Sequence, residues 1–145
     1  MKAVIQRVSK ASVAVEGKVI SSIGLGMVVL IGFSRGDAFQ DIDPVVDKII
    51  NLRIFEDDQG KMNKALLDIG GEILLVSQFT LAGDIQKGRR PSFTNAAPPD
   101  AAQKLYQAFI EELQNRNVPF QTGQFQAHME VMIHNDGPVT FIIER

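Results

Sequence analysis

Cysteine is absent from the 145 residues, and histidine occurs only as His128 and His134. The missing thiol excludes disulfides, thiolate nucleophiles and Cys-ligated zinc or iron–sulfur centres. Long apolar runs are also missing, and the opening MKAVIQRVSK has strand-like alternation instead of the apolar h-region of a signal peptide. A cytoplasmic protein with no membrane association is therefore expected. Neither sign of charge dominates: the formal net charge is −2, so any contact with nucleic acid must come from a local basic patch. Phosphate-binding glycine motifs are lacking as well. GLGMVV and GFSRGD fill neither G-x-x-x-x-G-K-[ST] nor a G-x-G-x-x-G following a strand, which speaks against nucleoside triphosphate and dinucleotide chemistry.

What is present is the composition of a globular protein, 45% hydrophobic and 22% charged, in a length that suits one domain spanning 1–145. Residues 3–15 alternate imperfectly and lead through Glu16, Gly17 and Lys18 into Val19 and Ile20, the pattern of a hairpin. GMVVLIGF at 26–33 reads as a central strand covered on both faces. A helix is expected with Asp43 as cap, Pro44 as first helical residue, and Val45, Val46, Ile49, Ile50 and then Arg53 at helical spacing. After the turn EDDQGK, residues 73–76 form the core of another buried strand. The stretch 82–99 is aperiodic and rich in proline and glycine, a long loop of the kind that is usually functional or mobile. A second helix follows, with Asp100 and Gln103 at the spacing of a capping pair and Leu105, Tyr106, Phe109, Ile110 and Leu113 as its apolar face. From Val118 on the chain reads mainly as strands, with HNDGP (134–138) resembling a hairpin turn between two of them, although Pro138 removes a donor and restricts Gly137. The fold class is α/β (α+β-like): a single layered α/β/β domain with mixed, mostly antiparallel sheets and two main helices.

Chemistry is concentrated in few places. Ser77, Gln78 and Thr80 arrive together in SQFTL as a buried strand ends, where sheets commonly present functional groups. They serve equally well to satisfy local backbone groups. His128 and His134, six apart, would share a strand face, and ordinary polar strand residues account for them. Without an imidazole base a hydroxyl nucleophile here is weak, whereas backbone N–H groups after the strand can form an oxyanion hole without any particular side chain. KGRRPSF places Lys87, Arg89 and Arg90 beside Phe93 on a loop, a composition that can hold phosphates and stack on a base, or simply be solvated. Glu56, Asp57 and Asp58 read as a solvated turn before they read as metal ligands, since they lack the periodic ligands of an EF-hand loop.

Taken together, AVIQRVSKASVAV, NLRIFEDDQGKMN, SQFTL, KGRRPSF and NDGPVT, in this order, resemble the D-aminoacyl-tRNA deacylases from Met1 to the C-terminus. The resemblance implies a cytoplasmic homodimer, with its active site at the subunit interface, that hydrolyses the ester between a D-amino acid and tRNA. It also implies activity on glycine mischarged on tRNA, and no cofactor or metal. It places catalysis on Ser77, Gln78, Phe79 and Thr80, and rejection of L-amino acids on Gly137 and Pro138, whose peptide bond is cis in the family and reaches into the partner's site. Arg7 is implied as a support of the Gly-Pro loop, Phe125 and Met129, even-spaced on one strand, as walls of an adenosine pocket, and Lys87, Arg89 and Arg90 as contacts to tRNA phosphates. Two other readings stay open: a non-catalytic tRNA-binding module using the basic loop, and an ester hydrolase with Thr80 or Ser77 as covalent nucleophile.

Overall fold

The structure is a computed structural model describing residues 1–145. Its first strand, β1 (Lys2–Val15), organises the rest. Along one edge it pairs antiparallel with β3 (Gly26–Gly32) over Lys2–Val8 and then with β2 (Lys18–Ile23) over Ala11–Val15; β8 (Glu130–Glu144) follows the other edge. Next to β3 come β6 (Glu72–Ser77) and β7 (Phe120–Thr122), both parallel to their neighbours, which gives the order β2-β1-β3-β6-β7 with β8 on β1. The fold is thus mixed α/β with two helices and a mostly antiparallel sheet, as expected.

The layering follows from side-chain parity. On β3 and β6, Met27, Val29, Ile31, Ile73 and Leu75 face the core beneath the helices, while Val28, Leu74 and Val76 face a second, smaller core. Successive strand residues point to opposite faces, so near-continuous apolar runs are what a strand covered on both sides requires. β1 changes allegiance along its length: Ala3 and Ile5 belong to the first core, Val8, Ala11 and Val13 to the second. Its pairing with β8 slips between Val8 and Lys10, and a one-residue slip exchanges the faces. The far half of β1 with β2 and part of β8 thereby closes over the back of β3 and β6.

The helices bury the stripes read from the sequence, but their starts differ. Helix α1 spans Ile42–Ile50 and buries Val45, Val46, Ile49 and Ile50. It starts two residues before Pro44, and Arg53 lies beyond its end, where Nε donates to the Asn63 carbonyl at 2.7 Å. Asp43 does not cap it, because its carboxylate accepts from Arg116; Asp41 instead receives the Ala38 N–H at 3.1 Å, one turn earlier. Helix α2 runs Pro99–Asn115 from a Pro98 cap position, and neither Asp100 nor Gln103 caps it. Proline at the first helical position has no N–H to leave unpaired. Arg116, just past α2, joins Asp43 and Asp47 of α1 to Glu112.

Tyr106 of α2 is buried and donates its hydroxyl to the Leu75 carbonyl at 3.0 Å. Burial raises the phenol above its ordinary value near 10, so its contribution to stability is complete below that pH and falls away as the pH rises toward the folded-state value. Tyr106→Phe is expected to cost about 1 kcal/mol in urea unfolding at neutral pH, because the Leu75 carbonyl still accepts Gly123 N–H, and to flatten the loss of stability above pH 10.

β4 (Phe55–Glu56) and β5 (Met62–Lys64) form a small hairpin around EDDQGK. The three carboxylates diverge, as the turn reading requires. Asp57 accepts the Gln59 and Lys61 N–H groups, which hold its carboxyl below the usual range; Asp58 pairs with Lys64, and Glu56 faces Arg7.

HNDGP is not a hairpin turn. β8 runs unbroken through it, and between the pairs Asn135–Val8 and Thr140–Gln6 the residues 136–139 stand opposite Arg7 alone. The segment is a wide bulge in a single strand, closed by the Asn135 side-chain amide, which donates to the carbonyls of Arg7 and Val139, each at 3.0 Å. The histidines also fall apart: His134 is on β8, His128 precedes the strand, and both are exposed, so they share no strand face. No helix is long and apolar enough to cross a membrane.

Candidate active site

Three parallel strands, β3, β6 and β7, end side by side, and a cavity of about 830 Å³ opens at their carboxyl ends. Ligands of open α/β sheets bind at this end of the strands, and the volume lies in the range of small-molecule sites. The end of β3 contributes Gly32 and Phe33, the end of β6 contributes Ser77, Gln78 and Phe79, and the chain after β7 contributes Phe125 and Met129.

Past Ser77 the strand gives way to a 3-10 turn, Phe79–Ala82. Gln78 is still tied to the sheet through its N–H, 2.7 Å from the Ile31 carbonyl, and its own carbonyl accepts Leu81 N–H. The first amides of a helical turn have no partner within it, and those of Phe79 and Thr80 donate to no other backbone or side-chain acceptor of the chain. Two adjacent main-chain donors are thus free, that of Phe79 on a residue of the cavity wall and that of Thr80 next to it in the chain. The Thr80 hydroxyl accepts a hydrogen bond from the Gln78 side-chain amide, and Thr80 is not part of the cavity wall.

Phe125 and Met129 line the cavity, although not for the reason their spacing offered. They stand on the loop between β7 and β8, so strand alternation does not relate them. Phe125 is seated against the Tyr106 ring, with centroids 5.7 Å apart, and Phe79 against Phe93 at 5.1 Å.

The basic loop is a closed excursion: Asp84 and Ser92 exchange backbone hydrogen bonds of 2.8 and 2.9 Å, leaving Lys87, Arg89 and Arg90 exposed and away from the cavity wall. The chain then returns along the end of β3, with Arg35 N–H on the Asn95 carbonyl and Ala97 N–H on that of Phe33. This return brings Ala96–Pro99 and Arg35 to the cavity. Sequence reading passed over Arg35; its only signal was a cation just past a buried strand, the same placement that singled out SQFTL.

Arg7, Gly137 and Pro138 form a separate group that does not line this cavity. The Gly137–Pro138 peptide is cis. Arg7 is buried, with Nε 3.0 Å from Asp136 Oδ2, Nη1 on the Ile54 carbonyl at 2.8 Å, and Nη2 3.6 Å from Glu56. Gly137 has φ +121, and a Cβ there would lie 2.7 Å from Val139 Cγ2 and 3.2 Å from the Arg7 guanidinium.

A cleft at the carboxyl ends of parallel strands in a mixed α/β sheet, walled by aromatic rings and bordered by free main-chain donors, is the architecture of a small-ligand enzyme. Residues 4–144 match the family model described as D-Tyr-tRNA(Tyr) deacylase. A D-aminoacyl-tRNA deacylase of Thermoanaerobacter sp. (strain X514) is 56% identical over 99% of this chain and 97% of its own. Among solved structures, a c-Myc DNA unwinding element binding protein is 46% identical with a TM-score of 0.94, covering 100% of this chain and 99% of that one. A probable eukaryotic D-amino acid tRNA deacylase, 18% identical with a TM-score of 0.83 and covering 98% and 97%, shares the fold. The chain belongs to the D-Tyr-tRNA(Tyr) deacylase family and is a hydrolase.

Proposed function

We propose that the whole chain, 1–145, acts as one D-aminoacyl-tRNA deacylase domain in the cytoplasm, releasing D-amino acids and glycine from tRNA. The terminal adenosine enters the cavity between Phe125 and Met129, and the ester carbonyl lies at the 3-10 turn. Water attacks, assisted by the ribose 2′-hydroxyl, and the Phe79 and Thr80 amides receive the developing oxyanion. Preorganised main-chain donors of this kind contribute about 3–4 kcal/mol to acyl-transfer transition states. The observation that carries the reading is the pair of unpartnered amides, one on Phe79 of the cavity wall and one on the next residue, at a cavity to which neither histidine contributes.

Main-chain catalysis is favoured over a Thr80 nucleophile because the group bonded to its hydroxyl is the Gln78 side-chain amide. An amide N–H₂ is a donor and cannot take up a proton. Thr80→Ala is therefore expected to keep near-normal turnover of D-Tyr-tRNA in a deacylation assay; reduction to the uncatalysed rate would make the hydroxyl the nucleophile.

Chirality is assigned to Gly137 and Pro138 of a second copy. Their absence from the cavity wall of their own chain supports a role across an interface, and exposed Met132, Phe141 and Ile142 on β8 supply apolar surface for a partner. The main-chain carbonyls there receive the substrate α-ammonium and leave no room for an L side chain, so selection is by exclusion. Glycine, with no side chain, passes. Purified protein given D-Tyr-tRNA, L-Tyr-tRNA and Gly-tRNA should release amino acid from the first and third only. Equal rates on D and L would end the exclusion mechanism, and binding without release would leave a tRNA-binding module.

A further inference from the structure

Arg35 is the cavity's cation, and it has no carboxylate partner. Arg7, Arg116 and Arg145 are all paired with acids, whereas Arg35 makes no salt bridge. The acid nearest to it in sequence, Asp37, is already taken by the Met1 ammonium at 2.6 Å and by Ser34 N–H at 2.7 Å. Arg35 is nevertheless held in place. Its main-chain N–H donates to the Asn95 carbonyl and its Nε to the Thr94 carbonyl, both at 2.8 Å, which leaves the two terminal nitrogens of the fork unbonded on the rim of a largely apolar cavity.

A guanidinium anchored at one nitrogen and open at its outer edge is suited to a planar or tetrahedral oxyanion, which it can bind through two parallel N–H groups. An aminoacyl ester offers no α-carboxylate, since that group is esterified, and a side-chain carboxylate is present only in the aspartyl and glutamyl esters. The anion common to every such substrate is the phosphodiester on the 5′ side of the terminal nucleoside.

We propose that Arg35 binds this phosphate and so makes the cavity a site for a nucleotide, not for a bare nucleoside; this rests on the reading that the cavity receives the terminal adenosine. The Thr94 carbonyl that anchors Arg35 lies two residues beyond Ser92, which closes the loop bearing Lys87, Arg89 and Arg90, and the Ser92 and Thr94 hydroxyls are 3.0 Å apart. The chain that closes the basic loop thus runs directly into the segment that anchors Arg35. In this role Arg35 is a specificity-determining residue.

The test is a binding comparison that does not depend on turnover. AMP and adenosine are titrated calorimetrically against the wild type, Arg35→Gln and Arg35→Lys, with thermal denaturation confirming that each variant is folded. The wild type should bind AMP about tenfold or more tightly than adenosine, as expected for a charge-assisted phosphate contact. Arg35→Gln should abolish that preference, bringing AMP and adenosine to equal affinity. Arg35→Lys should keep part of it and serves as the reporter if the glutamine variant does not fold. Equal wild-type affinities, undetectable AMP binding, or a preference that survives both substitutions would overturn the proposal. Wild-type turnover of D-Tyr-tRNA, measured alongside, tests the deacylase reading separately: an Arg35-dependent AMP preference without turnover keeps the phosphate contact and removes the reaction.

Discussion

Gly32→Ala is expected to lower kcat on D-Tyr-tRNA by about 10²-fold while the protein remains folded. Gly32 ends β3 and lies against the 3-10 turn after β6. A Cβ at this position would be 2.6 Å from the Gln78 carbonyl and 2.9 Å from Leu81 Cβ. That carbonyl accepts the Leu81 N–H and so sets the turn from which the Phe79 and Thr80 amides project. Neither neighbour is the far end of a flexible side chain, so the turn itself must move, and a displacement near 1 Å takes two fixed donors off the position of an oxyanion. The accompanying stability cost should be about 1–3 kcal/mol, the usual range for overpacking. Gly24→Ala is the matched control, since a Cβ there meets nothing within 4 Å. Single-turnover deacylation with both variants checks the expectation; an unchanged rate for Gly32→Ala would show that the turn does not stabilise the transition state.

The second large effect is expected at Arg7. Arg7→Met should destabilise the protein by about 3 kcal/mol in denaturant unfolding. The side chain is 5% exposed, and its loss leaves the Ile54 carbonyl without its donor and frees Asp136 from the fork. Asp136 is itself half exposed and can rehydrate, which keeps the cost below that of a fully buried pair. Because the same guanidinium lies beside Gly137, the variant should also hydrolyse L-Tyr-tRNA faster relative to D-Tyr-tRNA. Arg7→Lys retains charge but not the planar fork, and should recover part of the stability with less of the selectivity. A stability loss with an unchanged D-to-L ratio would confine Arg7 to a structural role.

Local features of the fold were legible where composition and period speak for themselves. Val45, Val46, Ile49 and Ile50 could only be a helix face, and GMVVLIG only a strand covered on both sides. Helix starts were misplaced because Asp43 and Asp100 have the right chemistry for caps, while tertiary partners decide its use: Asp43 is engaged by Arg116 from the other helix. The parallel pairing of β3, β6 and β7 was not legible, since an apolar run shows that a strand is buried but not which strand lies beside it or in which direction. That pairing creates the cavity, so Arg35, Gly32 and Ala96–Pro99 could not be gathered from sequence. Phe125 and Met129 both line the cavity, but the even spacing that picked them out belongs to a loop, where strand alternation has no meaning. SQFTL was legible as the end of a strand. That two of its amides, those of Phe79 and Thr80, lack partners depends on the turn geometry, which no residue type specifies.

The bulge of β8 has one more effect. An edge strand of 15 residues carrying exposed Met132, Phe141 and Ile142 is a template onto which further chains could add, strand upon strand. The segment at 136–139 breaks the regular register of the strand, and Pro138 has no N–H to offer. An edge so interrupted is a poorer template for unlimited strand addition. The irregularity that sets Gly137 and Pro138 apart from the rest of β8 thus also guards this edge against aggregation.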